Sequence, residues 1–151
     1  MQLEEKARQI IENVCDDYFL GFGDLQNTDD PMIQEYNTLF DEYPTSISIG
    51  ITLPFYKEYS TNPEIYKRTN CQLKTITMKI CDLLEDEGYN SFSFPKTNDT
   101  NESYLSLHVI AANHANLGEI EENGLLTTPE VGSGVNWGTV LTDAPLKIST
   151  S

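Results

Sequence analysis

Positive charge is scarce in this sequence: 9 lysines and arginines stand against 24 aspartates and glutamates, a formal net charge of -15 over 151 residues. A chain so poor in cations cannot neutralise a run of phosphates, which weighs against a nucleic-acid partner. It weighs equally against an anionic membrane surface. Cysteine is scarce too. Cys15, Cys71 and Cys81 are odd in number, widely spaced and form no CxxC pair. That pattern is no disulfide framework, and it predicts neither a zinc site nor an iron–sulfur cluster ligated within this chain. The three thiols fall in helical patterns and are expected to be buried and free. No apolar run approaches membrane-spanning length, and the opening MQLEEKARQIIENV is charged and amphipathic rather than a signal peptide. A reducing cytoplasm is the expected compartment. No P-loop, no GxGxxG, no HExxH and no GxSxG is found.

What is present reads as one α+β domain over residues 1–151. Leu3, Ala7, Ile10, Ile11 and Val14 share a helical face, so a first helix is expected from about Leu3 to Asp16. Tyr18 to Gly23 predicts a short strand ending in a glycine turn. Asp30 and Pro31 suit the start of a short helix. In Thr45 to Leu53, isoleucines 47, 49 and 51 alternate with Ser46, Ser48 and Gly50, the clearest strand of the chain. Its small face would admit a flat ligand, although a packed helix is the commoner covering. Residues 54–62 read as a loop or a short irregular helix. Thr69, Leu73, Ile76, Ile80 and Leu83 predict a long helix over 63–87, stopped by Gly88. Its acidic end, Glu85 to Glu87, opposes the helix dipole and should be solvated or face a cation. A strand is expected over 89–94, a helix over 102–116, then glycine-punctuated strands including Leu125-Leu126 and Trp137 to Leu141.

The stretch Leu117 to Leu146 carries a more specific pattern. Leu117-Gly118 is followed by Asn123-Gly124-Leu125-Leu126, then Thr128-Pro129-Glu130, Gly132 and Thr142-Asp143-Ala144-Pro145-Leu146. In this order the elements resemble epoxyqueuosine reductases and corrinoid reductive dehalogenases. Gly21 to Leu25, Tyr43 to Ile49 and Leu83 to Tyr89 are similar to earlier parts of that family. The resemblance implies a nitroreductase-like and cobalamin-processing-like fold, a central, mostly antiparallel sheet flanked by helices. It implies a corrinoid (cobalamin-like) cofactor, with Gly118, Asn123, Gly124, Leu125, Thr128, Pro129, Gly132, Trp137 and Thr142 as the positions that would hold it. It further implies two iron–sulfur clusters in a following domain. These 151 residues hold no such cysteines, so electrons would have to come from an external iron–sulfur or flavin donor. A homodimer is expected on the fold analogy alone.

The family pattern also implies a proton donor before the small-residue helix, a place that falls on Glu102, with Tyr104 as a phenol nearby. A carboxylic acid over an apolar ring would have a raised pKa and could donate a proton. As an ordinary residue, Glu102 is a helix-start acid favoured by the dipole. Asn123 and Asp143 read equally as turn formers, Asp143 through a bond to its own backbone. His108 and His114 lie on different faces of one helix and cannot share a metal, so no metal site is expected. Trp137 is a stacking surface or a core residue. Glu121 and Glu122 stand where the family carries a glycine followed by a basic residue. Acids there would repel the phosphate of a nucleotide tail, leaving a tail-less corrinoid or another tetrapyrrole. The competing reading is a degenerate, non-catalytic binding or assembly module.

Overall fold

The computed structural model describes residues 2–26, 37–53, 63–94, 107–122 and 125–149. In chain order the elements are α1 (Leu3–Glu12), β1 (Tyr18–Asp24), α2 (Asn37–Glu42), β2 (Thr45–Thr52), α3 (Pro63–Asp86), β3 (Ser91–Phe94), α4 (Leu107–His114), β4 (Glu119–Ile120), β5 (Leu126–Thr127) and β6 (Val135–Thr142). Four strands form one antiparallel sheet in the order β1-β2-β6-β3, and β4 pairs with β5 in a separate small ribbon. The fold is α+β, with helices on both sides of the sheet.

The alternation in β2 divides the molecule. Ile47, Ile49 and Ile51 point to the side covered by α1 and α3, and with Phe22, Val140, Ile11, Ile76 and Ile80 they make the main core. The three isoleucines are at most 4% exposed, so this face supplies most of the hydrophobic burial. Asn136 interrupts it. Its side-chain amide donates to Thr69 Oγ1 and Asn70 Oδ1 of α3, both at 2.8 Å, so the buried polar group is satisfied. The long helix α3 ends as its sequence directs. Gly88 adopts a φ of +93°, while the amide of Tyr89 donates to Leu84 O and that of Gly88 to Glu85 O. The acidic end meets a cation: Lys6 Nζ of α1 lies 2.6 Å from Glu87 Oε1.

The opposite side of the sheet is built from small residues. Ser46 and Ser48 pair with Gly23 and Gly21 of β1, and with Leu141 and Thr139 of β6. Helix α4 packs on this surface, with Ala111 and Ala112 fully buried. The commoner of the two coverings expected for the serine–glycine face is therefore the one found. Both glycines of β1 lie within the strand, where a terminal turn was expected. A Cβ on Gly21 would stand 2.9 Å from Ala115 Cβ, so the glycine serves the close approach of the helix rather than a turn.

Other boundaries differ locally. The first helix stops at Glu12, four residues short of the expected end, and β4 was not anticipated. Cys71 is exposed, and Cys15 and Cys81 are half-buried, which corrects the expectation of three buried thiols. Burial, with Asp16 and Asp17, raises the pKa of Cys15; burial likewise raises that of Cys81. Both are thereby less acidic than a free thiol. The Asp30–Pro31 helix start, residues 54–62 and residues 102–106 lie outside the described residues. No described helix is long and apolar enough to cross a membrane.

Candidate functional site

Helix α4 ends in a turn that aims the chain at the ribbon. Asn116 takes a left-handed conformation, φ 62°, while the amide of Leu117 donates to Ala112 O and that of Asn116 to Asn113 O. Asparagine is among the few residues that tolerate this conformation, because its short polar side chain bonds locally. Here its Nδ2 donates to Ser149 O at 2.6 Å. Ser149 in turn lies along the outer edge of β1, its amide donating to Phe22 O at 2.8 Å and its Oγ accepting from Phe22 N at 2.9 Å. The C-terminal segment thus pairs part of an edge strand and holds the turn after α4.

The turn brings Gly118 against β5. A Cβ at this position would lie 2.5 Å from the carbonyl oxygen of Thr127, so only glycine lets the two backbones come so close. Asn113 Nδ2 donates to Gly118 O at 2.9 Å and pins the same turn from the helix side. Beyond β5, Thr128 and Gly132 exchange two backbone hydrogen bonds, of 2.8 and 3.0 Å. The loop between them closes through Thr128 Oγ1, which accepts from Val131 N at 3.0 Å, and through Gly132 at φ +64°.

Between the end of α4 and this ribbon lies a cavity of about 470 Å³. Asn113 and Asn116 wall it on the helix side; Gly118 and Glu119 form the turn side, and Thr127, Thr128 and Pro129 the ribbon side. Its volume is in the range of small-molecule sites. Three of the positions drawn from the family pattern, Gly118, Thr128 and Pro129, meet here.

The remaining positions are dispersed. Leu125 follows the ribbon tip, where its carbonyl accepts from Glu121 N at 2.9 Å. Gly132 closes the Thr128 loop. Trp137 is buried below the ribbon, its ring centroid 5.8 Å from that of Phe19. A Cβ on Gly50 would reach to 2.6 Å from the indole, so the small residue of β2 receives the protein's own tryptophan. Thr142 is at the far end of β6. Its hydroxyl donates to Asn90 O at 2.6 Å and accepts from Ala144 N at 3.1 Å. Asp143 differs from expectation: its carboxylate accepts from the backbone and side-chain N–H groups of Asn90, both at 2.9 Å, tying two loops together rather than bonding its own backbone. His108 is buried, with Nδ1 2.9 Å from Thr139 Oγ1. Glu102, Tyr104, Asn123 and Gly124 lie outside the described residues.

Sequence reasoning missed Asn113, Asn116, Glu119 and Thr127. The first two were placed inside a helix that was expected to run to residue 116. The signal that could have found them is an asparagine just before a Leu-Gly pair, a helix-end pattern.

No protein-family model matches the sequence, and no curated protein matches it. Solved structures do. Epoxyqueuosine reductase from Bacillus subtilis superposes with a TM-score of 0.66 over 99% of this chain and 47% of its own, at 15% identity. The fold is that of epoxyqueuosine reductase. A second such reductase, solved with an epoxyqueuosine-modified tRNA-Tyr stem loop, gives a TM-score of 0.67 over 99% of this chain and 47% of its own, at 17% identity. A catabolic reductive dehalogenase gives 0.69 over 96% of this chain and 21% of its own, at 13% identity. The chain thus spans about half the length of the epoxyqueuosine reductases it matches, 47% in the Bacillus structure. At such identities the likeness is one of fold.

Proposed function

We propose that the chain binds a corrinoid, gripping one edge of the macrocycle in the cavity between α4 and the β4–β5 ribbon. The observation that carries this reading is the coincidence of two independent features. Six residues of the Leu117 to Leu146 stretch that resembles corrinoid reductases, Leu117, Gly118, Glu119, Thr127, Thr128 and Pro129, also line the cavity. The lining fits the edge of such a ring. Carboxamide arms fringe a corrin, and Asn113, Asn116 and Thr127 offer neutral groups of matching polarity. A cavity of about 470 Å³ receives a limb of so large a ligand rather than the whole of it.

Bound corrinoid would supply a low-valent cobalt centre for reductive chemistry. Electrons would come from an iron–sulfur or flavin group outside these residues, since three scattered cysteines cannot ligate a cluster. Glu102 and Tyr104 stand as the proton-donating candidates of such a reductase. A tRNA stem loop is not proposed as the substrate, because a net charge of -15 opposes binding to a phosphate backbone.

A second reading is favoured by one observation. Trp137 and the serine–glycine face of β2, the features best suited to a flat ligand, are occupied by the protein's own packing. That suits a non-catalytic binding or assembly module. Titration with cobinamide and with cobalamin, followed in the visible spectrum, separates the two. A saturable shift supports corrinoid binding, and its loss in Gly118→Val, with far-UV circular dichroism unchanged, ties it to the cavity. Absence of any shift in folded protein leaves the module.

A further inference from the structure

The side chains of the cavity wall carry more hydrogen-bond acceptors than free donors. Thr127 Oγ1 donates to Glu121 Oε1 at 2.8 Å and approaches Glu119 O at 3.3 Å, so its proton is directed into the ribbon. Thr128 Oγ1 donates to Gly132 O at 3.1 Å. The amides of Asn113 and Asn116 each spend one of their two N–H donors on a backbone carbonyl, Gly118 O and Ser149 O, and keep the other. The oxygens of those two amides have no partner among the described residues and add to the acceptor count. Pro129 has no N–H to offer. Charge points the same way. Glu119 is the ionisable residue of the lining, and Glu121 is fastened beside it through Thr127. No lysine, arginine or histidine lines the cavity among the described residues.

We infer that this site selects its ligand by charge and hydrogen-bond polarity, accepting N–H-bearing neutral or cationic groups and rejecting phosphate. The inference rests on the corrinoid reading for the identity of the ligand. Within that class, it assigns the site to a corrinoid without a nucleotide phosphate, whose amide arms donate to the acceptor-lined wall. A phosphate brought to this wall meets Glu119, with Glu121 held beside it, and no cation among the described residues. The carboxylates are at the surface, so the repulsion is solvent-screened and amounts to about a tenfold preference rather than absolute exclusion.

The test is a paired titration of cobinamide and cobalamin against the protein and its Glu119→Gln/Glu121→Gln variant, at low and at high salt. Wild type should hold cobinamide about tenfold more tightly. The ratio should shrink toward one in the double variant and, by screening, in wild type at high salt. Equal affinities in wild type, or a ratio that the double variant leaves unchanged, would overturn the inference. If neither corrinoid binds, the corrinoid reading falls and the polarity of the wall is judged separately. Amide resonances of Gly118 and Thr127 should then shift with a short aliphatic diamine and not with inorganic pyrophosphate. Shifts with pyrophosphate, or with neither probe, would sink the selectivity claim by itself.

Discussion

The two faces of the sheet solve different problems with the same strand. On one side of β2, isoleucines 47, 49 and 51 bury bulk against α1 and α3. On the other, Ser46, Ser48 and Gly50 offer almost no bulk, and neighbours come close instead. Trp137 fills the space over Gly50, and α4 settles near Gly21 and Gly23. The first face holds the domain together by removing hydrocarbon from water. The second contributes less burial per residue and more position, because the distance from β1 to Ala115 sets where α4 ends. Where α4 ends sets the Gly118 turn and the cavity beside it. Bulk stabilises this fold, and its absence places the candidate site.

That contrast can be broken most severely from the bulky side. Ile49→Ala removes a fully buried side chain and should cost about 2–5 kcal/mol, read as a lower urea midpoint with an unchanged slope. Gly21→Ala attacks the close side. Its new methyl must displace Ala115 or Leu117, at an expected cost of about 1–3 kcal/mol. Unlike the isoleucine change, it should also weaken ligand binding at the cavity, because α4 moves. If Ile49→Ala impaired binding in the still-folded protein as much as Gly21→Ala did, the division of labour would be wrong.

A smaller effect of opposite sign is expected at Ser48. Its hydroxyl is buried beneath α4 and finds no partner among the described residues. Ser48→Ala keeps the small face small and removes an unsatisfied group, so chemical denaturation should show stability unchanged or raised by up to about 1 kcal/mol. A clear loss would reveal a partner for that oxygen. The smallest effect belongs to the surface pair joining the helices of the isoleucine face. The hydrogen bond and positive charge of Lys6 hold the Glu87 carboxyl below the ordinary carboxylate range. Its contribution to stability is therefore present above the unfolded carboxylate pKa and lost as pH falls through the lowered folded value. In Lys6→Gln, the Glu87 carboxyl resonance should titrate at the ordinary position, with little change in unfolding temperature near neutral pH.

Legibility in the sequence followed the range of the interactions. β2 and α3 were readable because alternating isoleucines and a three-and-four spacing are local patterns. The Gly88 stop was readable because a helix end is a local event. The glycines of β1 were misread, since a glycine looks like a turn until its partner, here Ala115, is known. Asp143 was read as a turn former bonding its own backbone, yet the partner that it and Thr142 hold is Asn90. No local pattern announces a contact with a loop so distant in sequence. The two-residue strand β4 had neither alternation nor length to declare it.

By itself the sequence determined the α+β class, the core face of β2, the long helix and its end, and the resemblance to corrinoid reductases in the 117–146 stretch. Each depends on side-chain period, backbone preference or motif order along the chain. Only the tertiary structure decided what covers the small face, that Trp137 belongs to the core, and that Asn113, Asn116 and Thr127 share a cavity with Gly118. Those outcomes depend on which surfaces approach closely enough to exclude water. That choice is made by the packing of elements remote in the chain, whose individual patterns allow more than one partner.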